Sequence, residues 1–377
     1  MKKFVSVVLS SLVVLAFVAG CATAPAASAP AAAEAKPAEG KEVILLISAA
    51  GTLDDRAFNQ GCYNGVKQFA AEFNKTYGFY QPTEDTVEAQ VTMADTAIKG
   101  GAKFIIINSD QFKKSATVMV KNHPDVSFII FDTIPVDDAG KQLDPLPKNI
   151  LAILFREQQS TFLAGYAAVK DGYRKLGFMG GMPVPAVVRF GYGFVWGAEV
   201  ACKELGLQGQ VEMKYNYSGN FKPTPENQAR AASWYQSGTE IIHVAAGPMG
   251  ASVFAAAEQN NGVVIGVDSD QSGESKTIIT SAIKDLQRVT YNSLKAWQEG
   301  KFAGGKVVTY GAAEGGVALV SLKFKNFTQA MYDDLYKRVA ADDGGMSSSI
   351  PTDASYPDAG GSPEPIPVTC LKLENVK

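Results

Sequence analysis

Short runs of apolar residues recur along this chain, and each is followed by small or polar residues and then by a segment with helical periodicity. The first run, VILLI at Val43–Ile47, leads through Ser48–Gly51 into a periodic segment that begins at Phe58. Similar runs are KFIIIN at Lys103–Asn108 and SFIIFD at Ser127–Asp132. A short, β-branched run is typical of a strand buried on both faces of a parallel sheet. Strands that alternate with helices in this way predict the α/β fold class with mostly parallel sheets.

The strand–helix alternation forms two series of comparable length. A loop rich in Pro, Gly and Asp at 135–148 separates them. We therefore predict two Rossmann-like lobes with a ligand cleft between them. The predicted parts are lobe 1 at 42–150, completed by roughly 284–305, lobe 2 at 151–283, completed by roughly 306–341, and a tail at 342–377. The tail is Gly/Ser/Pro-rich without an apolar period, which is typical of disorder.

The first residues have the pattern of a secretory signal peptide. Two lysines precede an almost wholly apolar stretch, Phe4–Val18, which is too short to be a membrane span. The Val-Ala-Gly-Cys that ends this region resembles a bacterial lipobox, so we predict a signal peptide at 1–20 and lipidation of Cys21. An ordinary signal peptide with an incidental Cys is the alternative. The Ala/Pro-rich stretch 21–41 is typical of a flexible tether, which predicts a lipid anchor on the cell membrane, facing the periplasm or the cell exterior.

Charge and histidine spacing exclude two kinds of partner. The net charge is −3 and the Lys and Arg residues are spread through the chain, which is unlike a nucleic-acid binder. His123 and His243 have no second His, Cys or carboxylate at metal-ligand spacing, so no metal site is predicted. A structural role is the better interpretation of both histidines.

The cysteines do not form a dense disulfide framework. None of them is part of a CxxC pair. The four are Cys21, Cys62, Cys202 and Cys370. If Cys21 is lipidated, at least one of the other three must be free, and their pairing stays open.

Catalytic motifs are missing from the sequence. It contains no Gly-x-Ser-x-Gly elbow and no Gly-x-x-x-x-Gly-Lys-Ser/Thr loop, and no Gly-x-Gly-x-x-Gly follows the first strand. We therefore predict no catalytic residue, no cofactor and no enzymatic activity.

The predicted strand ends carry side chains suited to a neutral polar ligand. Ligands of open α/β sheets bind beyond the carboxyl ends of the strands. Carboxylates there accept hydrogen bonds, an amide or a lysine donates, aromatic rings stack, and glycine lets the backbone approach closely. The candidate binding residues are Phe58, Asn59, Asp132, Phe190, Phe221, Gly247, Asp268 and Lys284. The alternatives are that Phe58 is a core residue, Asn59 a helix-start residue and Asp268 a helix N-cap or turn residue.

Several segments also resemble the basic-membrane-protein family. Asp54–Asn59 (DDRAFN) is similar to its DDxSFN segment, and further matches follow in order, among them Thr161–Tyr166, Gly177–Phe194 and Gly266–Gln271. The resemblance covers roughly residues 43–320. Members of this family are bacterial lipoproteins that serve as substrate-binding components of ABC importers, and several are purine-nucleoside receptors.

The resemblance implies a type I periplasmic-binding-protein fold with a purine nucleoside between the lobes. By position it assigns Phe58 and Phe221 to stacking on the base. Two residues match polar contacts to the base and three match contacts to the ribose. These are Asn59 and Asp132 for the base, and Gly247, Asp268 and Lys284 for the ribose. The resemblance also implies that the protein delivers its ligand to an ABC permease, and we predict that it is a monomer.

Two segments depart from the pattern of the family. Ser48-Ala49-Ala50-Gly51-Thr52 stands where Thr-Asp-x-Gly-Gly is usual, so a carboxylate expected to contact the base is replaced by Ala49. Ser218–Pro223 (SGNFKP) likewise differs from Gly-Ser-Phe-x-Asp-Pro around Phe221.

The predicted function is that of a lipid-anchored substrate-binding protein for a purine nucleoside or a similar solute. Two alternatives stay open. One is a sensor of the same fold that passes ligand occupancy to a receptor. The other is an extracytoplasmic enzyme that acts on nucleosides, which would need a nucleophile–base pair or a metal set.

Overall fold

The computed structural model of the protein describes residues 40–376. The predicted signal peptide, the lipidation site Cys21 and all of the predicted tether except its last two residues lie outside this range. Within it, no helix has both the length and the apolar character that crossing a bilayer requires.

Strands and helices alternate along the described chain as predicted. The strands are β1 (Val43–Ile47), β2 (Tyr77–Tyr80), β3 (Phe104–Asn108), β4 (Ser127–Phe131), β5 (Ile150–Phe155), β6 (Lys175–Gly180), β7 (Glu212–Tyr217), β8 (Ile241–Ala245), β9 (Val263–Asp268), β10 (Ile278–Lys284), β11 (Lys306–Tyr310), β12 (Val317–Val320) and β13 (Lys372–Asn375). The helices are α1 (Phe58–Phe73), α2 (Val87–Lys99), α3 (Lys113–Asn122), α4 (Glu157–Asp171), α5 (Pro185–Glu204), α6 (Pro225–Gln236), α7 (Gly250–Asn260), α8 (Leu286–Gln298) and α9 (Gln329–Ala340).

Threonine caps begin several of these helices. The Thr86 side chain accepts a hydrogen bond from the Ala89 N–H at the start of α2, at 3.2 Å. Thr224 and Thr328 do the same for α6 and α9. A side-chain acceptor at this position satisfies one of the first amide groups of a helix, which lack partners inside it.

Two sheets organise the fold. The first has the strand order β11-β5-β4-β3-β1-β2 and is parallel throughout. The second has the order β12-β10-β9-β8-β6-β7-β13, and only β12 runs antiparallel to its neighbour. The apolar runs VILLI and FIIIN are fully buried in the first sheet, as expected of central parallel strands. The predicted α/β class with mostly parallel sheets is confirmed.

The structure divides the lobes differently from the sequence analysis. Both β5 and β11 belong to the first sheet, although 151 onwards and 306–341 were assigned to lobe 2. Ile150 pairs with Phe128 of β4, and Lys306 pairs with Leu151. The sequence of an apolar strand does not indicate which sheet the strand joins. The long loop before β5 therefore looks like a boundary between lobes although it is not one.

The predicted disordered tail is folded. Its last strand, β13, pairs in parallel with β7 at the edge of the second sheet. Ile350 and Ile366 are buried, and a disulfide joins Cys370 to Cys202 on α5. The composition of the tail misled the prediction because a covalent link and a few well-placed apolar residues can order a segment that has no apolar period of its own. Cys62 is the free, buried cysteine of the described chain.

Helices α4 and α5 pack unusually closely, and this contact places the side chains that approach the cleft from the second lobe. A Cβ at Gly193 would lie 2.2 Å from the Gln158 carbonyl oxygen, and one at Gly197 would lie 2.0 Å from that of Phe162. Glycine at these positions therefore lets the two backbones touch. As a result α4 is buried along almost its whole length.

Candidate functional site

The carboxyl ends of strands from both sheets meet at one cleft, which holds about 820 Å³ of space, including the part that is open to solvent. All eight residues that were predicted to bind the ligand line this cleft. They are Phe58, Asn59, Asp132, Phe190, Phe221, Gly247, Asp268 and Lys284.

Two aspartates leave their strands with left-handed backbones. Asp132 directly follows β4 with a φ of 64°, and Asp268 ends β9 with a φ of 63°. Such a conformation is uncommon for a residue other than glycine and costs about 1–3 kcal/mol. Strain of this kind persists where the surrounding structure imposes it, often at binding sites. Gly247 after β8 also has a positive φ, of 50°, and apart from Gly247 and its chain neighbours no described residue has an atom within 4 Å of where its Cβ would be.

Lys284 at the end of β10 is surrounded by three carboxylates. Its Nζ donates to Asp132 Oδ2 at 2.6 Å and lies 3.3 Å from Asp268 Oδ1 and 3.7 Å from Glu157 Oε1. The Nζ also lies 4.3 Å from the centre of the Phe58 ring, which adds a cation–π contact. Only 2% of the Lys284 side chain is exposed, so this charge depends on its neighbours.

Burial and pairing act against each other in this group. Burial lowers the pKa of Lys284, but the carboxylates of Asp132, Asp268 and Glu157 together raise it above its ordinary value. Burial raises the pKa of Asp132 to about 6, even though Lys284 opposes the change. Burial also raises the pKa of Asp268. Near neutral pH the lysine is therefore an ammonium group, and the Asp132 carboxyl group that it faces is ionised.

Part of each aspartate is without a hydrogen-bond partner. Asp132 Oδ1 and Asp268 Oδ1 are both buried, and neither accepts a hydrogen bond from any residue between 40 and 376. The 3.3 Å approach of Lys284 to Asp268 Oδ1 is an ion-pair distance that lacks hydrogen-bond geometry. A buried acceptor without a partner costs about 1–3 kcal/mol. Because both residues line the cleft, a ligand that carries hydroxyl or N–H donors would remove this cost.

Aromatic rings form much of the apolar wall. Phe58 and Phe221 are half-buried, whereas Phe190 is only 2% exposed. The Phe221 ring lies against Gly181, where an added Cβ would be 2.2 Å from it. Phe190 is therefore mostly a core residue with one edge on the cleft, and Phe58 and Phe221 offer more ring surface.

The amide of Asn59 is held by the protein itself. Its Nδ2 donates to the Thr52 carbonyl at 2.8 Å, and its Oδ1 accepts from Asn108 Nδ2 at 2.7 Å. Asn108 in turn accepts from the Cys62 thiol at 3.2 Å. One amide hydrogen and one lone pair of Asn59 are left for a ligand.

Asp55 fixes the start of α1, the helix that carries Phe58 and Asn59. Its carboxylate accepts from the N–H groups of Ala57, Asn59 and Gln60 and so caps α1. Burial raises its pKa to about 6, although these backbone hydrogen bonds oppose the change.

Several residues that shape the site were not predicted from the sequence. Arg189 on α5 donates from Nε to Glu157 Oε2 at 2.6 Å, and Glu157 is fully buried beside Lys284. The only signal in the sequence was the run of polar residues at the start of α4, Glu157–Thr161, directly before the apolar stretch Phe162–Val169.

A carboxylate does lie at the end of β1, but it comes from elsewhere in the chain. Asp85 accepts from the N–H groups of Ala49 and Ala50, at 2.9 and 3.2 Å. Asp85 is not part of the cleft lining, which at this strand consists of Ser48 and Gly51. The replacement of the expected acid by Ala49 therefore leaves a small, neutral surface here.

Neither histidine is among the described residues that line the cleft. His123 pairs with Asp95 at 2.6 Å, away from the cleft. His243 is buried among aromatic rings, and burial lowers its pKa to about 4, so it is neutral at pH 7. The described residues contain no group of three or more His, Cys, Asp or Glu side chains that could hold a metal ion.

Comparison with known proteins identifies the family. The sequence profile described as "ABC transporter substrate-binding protein PnrA-like" matches residues 41–342. The chain belongs to this family. Its members are substrate-binding proteins of ABC transporters and not enzymes, which confirms the predicted class of function and the resemblance to the basic membrane proteins.

Three known proteins illustrate the range of similarity. The chain is 28% identical to the ABC transporter nucleoside-binding protein BmpA of Lactococcus lactis, over 73% of this chain and 80% of that protein. It is 32% identical to basic membrane protein A of Borreliella burgdorferi, over 72% and 77% respectively. A solute-binding protein of an ABC transporter system from Aeropyrum pernix superposes with a TM-score of 0.70 at 20% identity, over 85% of this chain and 98% of that one. The last similarity confirms the type I binding-protein fold.

Proposed function

We propose that this PnrA-like protein binds a purine nucleoside between its two lobes and delivers it to an ABC permease. One observation carries the proposal most strongly: Lys284 lies between two strand-end aspartates, and each of them keeps a buried oxygen that has no hydrogen-bond partner among residues 40–376. The name of the Lactococcus relative, a nucleoside-binding protein, supports the same ligand class.

The chemistry of the lining matches the two halves of a nucleoside. Asp268 can accept both hydroxyls of a ribose diol while Lys284 donates to the same sugar, and Gly247 leaves room for the ring to approach the backbone. Phe58 and Phe221 would hold the base. Polar contacts to the base would come from Asp132 and the free amide hydrogen of Asn59, with Phe190 as an apolar wall.

We further propose that the mature protein is a lipid-anchored monomer, attached through Cys21 and facing the periplasm or the cell exterior. One acyl chain binds a membrane only weakly, whereas two or more hold it firmly. Cys21→Ala should release the protein from membranes or leave the signal peptide uncleaved. Unchanged processing and membrane retention of this variant would contradict the anchor.

Titration calorimetry with inosine, 2′-deoxyinosine and hypoxanthine tests the ligand. We expect inosine to bind far better than hypoxanthine, and the 2′-deoxy compound to lose affinity because Asp268 then has one donor fewer. If none of the three binds, the ligand is of another class. If hypoxanthine binds as tightly as inosine, the ribose role of Asp268 and Lys284 is wrong.

A further inference from the structure

Residues 343–376, the C-terminal segment, lie beyond the part of the chain that matches the family profile. They cover one face of α5. The α5 residues that contact the segment are spaced three or four apart, as expected of one side of a helix. They are Arg189, Tyr192, Trp196, Glu199 and Cys202. The N-terminal half of the same helix contributes Phe190 to the cleft wall.

The far end of the C-terminal segment is fastened to α5 in two ways. The buried carboxylate of Glu199 accepts from the N–H groups of Thr369, Cys370 and Leu371, at 2.8 to 3.0 Å. The disulfide between Cys202 and Cys370 holds the same turn covalently. Together with the pairing of β13 and β7, these contacts make the segment a fixed part of the second lobe.

The near end of the segment reaches the charged group of the cleft. Asp353 Oδ1 accepts from Arg189 Nη1 at 3.0 Å, and the Arg189 Nε is bonded to Glu157. Glu157 Oε1 has no hydrogen-bond partner among the described residues and lies 3.7 Å from Lys284 Nζ. Charges of alternating sign thus run from Asp353 through Arg189 and Glu157 to Lys284.

We propose that Asp353 is a positioning residue of the ligand site, which fixes Arg189 and through it holds Glu157 beside Lys284. The proposal rests on the nucleoside site proposed above. The Arg189 side chain is only 13% exposed, and its Nη2 has no partner among the residues described, so the guanidinium depends on its two carboxylates. Without Asp353, Arg189 turns towards Glu157 and weakens the hold of Glu157 on Lys284. The ammonium then moves towards Asp132 and Asp268 and occupies the acceptors that the ligand needs.

The test compares Asp353→Asn with Asp353→Glu and with Asp358→Asn. Asn preserves the size of the side chain but removes its charge, Glu restores the charge, and Asp358 is an exposed acid of the same segment. We expect Asp353→Asn to weaken inosine binding about tenfold, in the range of one charged hydrogen bond. Asp353→Glu should recover most of this loss, and Asp358→Asn should leave the affinity unchanged. Thermal unfolding and a thiol count establish that each variant is folded with its disulfide intact.

A second measurement needs no ligand and separates positioning from a merely structural role. Carboxyl NMR of the ligand-free protein follows the titration of Asp132. The ionisable groups around it are Lys284 of β10, Glu157 of α4, Arg189 of α5, Asp268 of β9 and the Cys62 thiol of α1. In Asp353→Asn the negative charge beside Arg189 is lost, so the positive charge of Arg189 acts more strongly on Asp132 and favours its ionised form. The pKa of Asp132 should therefore fall in Asp353→Asn but not in Asp358→Asn.

The outcomes are distinguishable. Wild-type affinity together with an unchanged Asp132 titration in Asp353→Asn would overturn the positioning role. If the wild type does not bind inosine but the titration still moves as expected, the proposed ligand is wrong and the coupling from Asp353 to the cleft stands.

Discussion

Two groups of polar side chains in the cleft differ in how their hydrogen bonds are used. The amide group consists of Asn59 and Asn108, which are hydrogen-bonded to each other. Asn59 also donates to a backbone carbonyl, and Asn108 accepts from a thiol. The charged group, Lys284 with Asp132 and Asp268, keeps two buried oxygens that have no hydrogen-bond partner in the described part of the chain. Both groups line the same cleft, but only the charged one leaves a cost that a ligand can remove. The difference indicates that the amides shape the cleft and that the charges select what enters it.

The charged group should be the more sensitive of the two to mutation, and Lys284→Met is the strongest test. The change leaves three buried carboxylates without their shared counter-charge. Removing one partner of a buried ion pair costs about 3–5 kcal/mol. We expect the free energy of unfolding to fall by that amount and inosine binding to become undetectable, as measured by chemical denaturation and calorimetry. The exposed Lys276 provides the control, Lys276→Met. A Lys284→Met protein of wild-type stability would contradict the account of the network.

Asp268→Asn should separate the two halves of the ligand. In Asp268→Asn the side chain that accepts hydrogen bonds from both ribose hydroxyls loses its charge. The binding free energy should then fall by about 2 kcal/mol or more, which is roughly 30-fold in affinity. Inosine binding should therefore weaken, whereas hypoxanthine binding should change little. Asp125→Asn, at an exposed turn, is the matched control. Equal losses for nucleoside and base would show that Asp268 does not contact the sugar.

The contrast also explains which parts of the structure could be predicted from the sequence. Asp132 and Asp268 were predictable because an apolar run ends at each of them, and the ends of parallel strands meet at one edge of a sheet. The strands themselves were predictable for the same reason, except β12 and β13, which are short and lie at sheet edges.

Glu157 and Arg189 were not predictable, because their importance depends on a close contact between two helices that only the assembled fold creates. The fold of the C-terminal segment was missed because its order depends on a disulfide partner 168 residues away in the sequence. A local pattern contains no information about such a partner.

Asn108→Ala tests the other side of the comparison. It removes the donor to Asn59 Oδ1 and the acceptor of the Cys62 thiol. Leaving buried groups unpaired costs about 1–3 kcal/mol, so we expect the free energy of unfolding to fall by that amount. Inosine affinity should change less than tenfold. A large loss of affinity with unchanged stability would show instead that Asn108 itself contacts the ligand.

The affinity should depend on pH through Asp132. Its pKa of about 6 in the folded protein is above the ordinary value of 3.8, because burial disfavours the ionised form. Binding uses the ionised carboxylate, so inosine affinity should be constant above pH 6 and fall by up to about tenfold per pH unit below it. The free energy of unfolding of the ligand-free protein should show the opposite pH dependence: protonation of Asp132 weakens binding but stabilises the fold. The folded state binds the proton more tightly than the unfolded state, so the contribution of Asp132 to stability rises as the pH falls from 6 towards 3.8.

Calorimetry across this pH range measures the first trend, and denaturation of the wild type against Asp132→Asn isolates the second. The Asn variant should lose the acid limb of the affinity profile. An affinity that is independent of pH between 5 and 8 would exclude Asp132 as an ionised contact.

The aromatic wall should contribute the smallest effect, and it can be tested without removing a ring. Phe221 lies so close to Gly181 that a Cβ there would be 2.2 Å from it, and Gly181 does not need a left-handed backbone. Gly181→Ala therefore displaces the Phe221 ring while leaving every polar contact in place. Aromatic pairs contribute about 0.5–1.5 kcal/mol beyond burial.

We expect Gly181→Ala and Phe221→Leu to weaken inosine and hypoxanthine by the same factor, between about twofold and tenfold. The equality matters more than the size, because a ring that stacks on the base treats the nucleoside and the free base alike, whereas Asp268 distinguishes them. If Gly181→Ala weakened only inosine, Phe221 would lie against the sugar, and the division of the cleft into an aromatic surface for the base and a charged group for the ribose would be wrong.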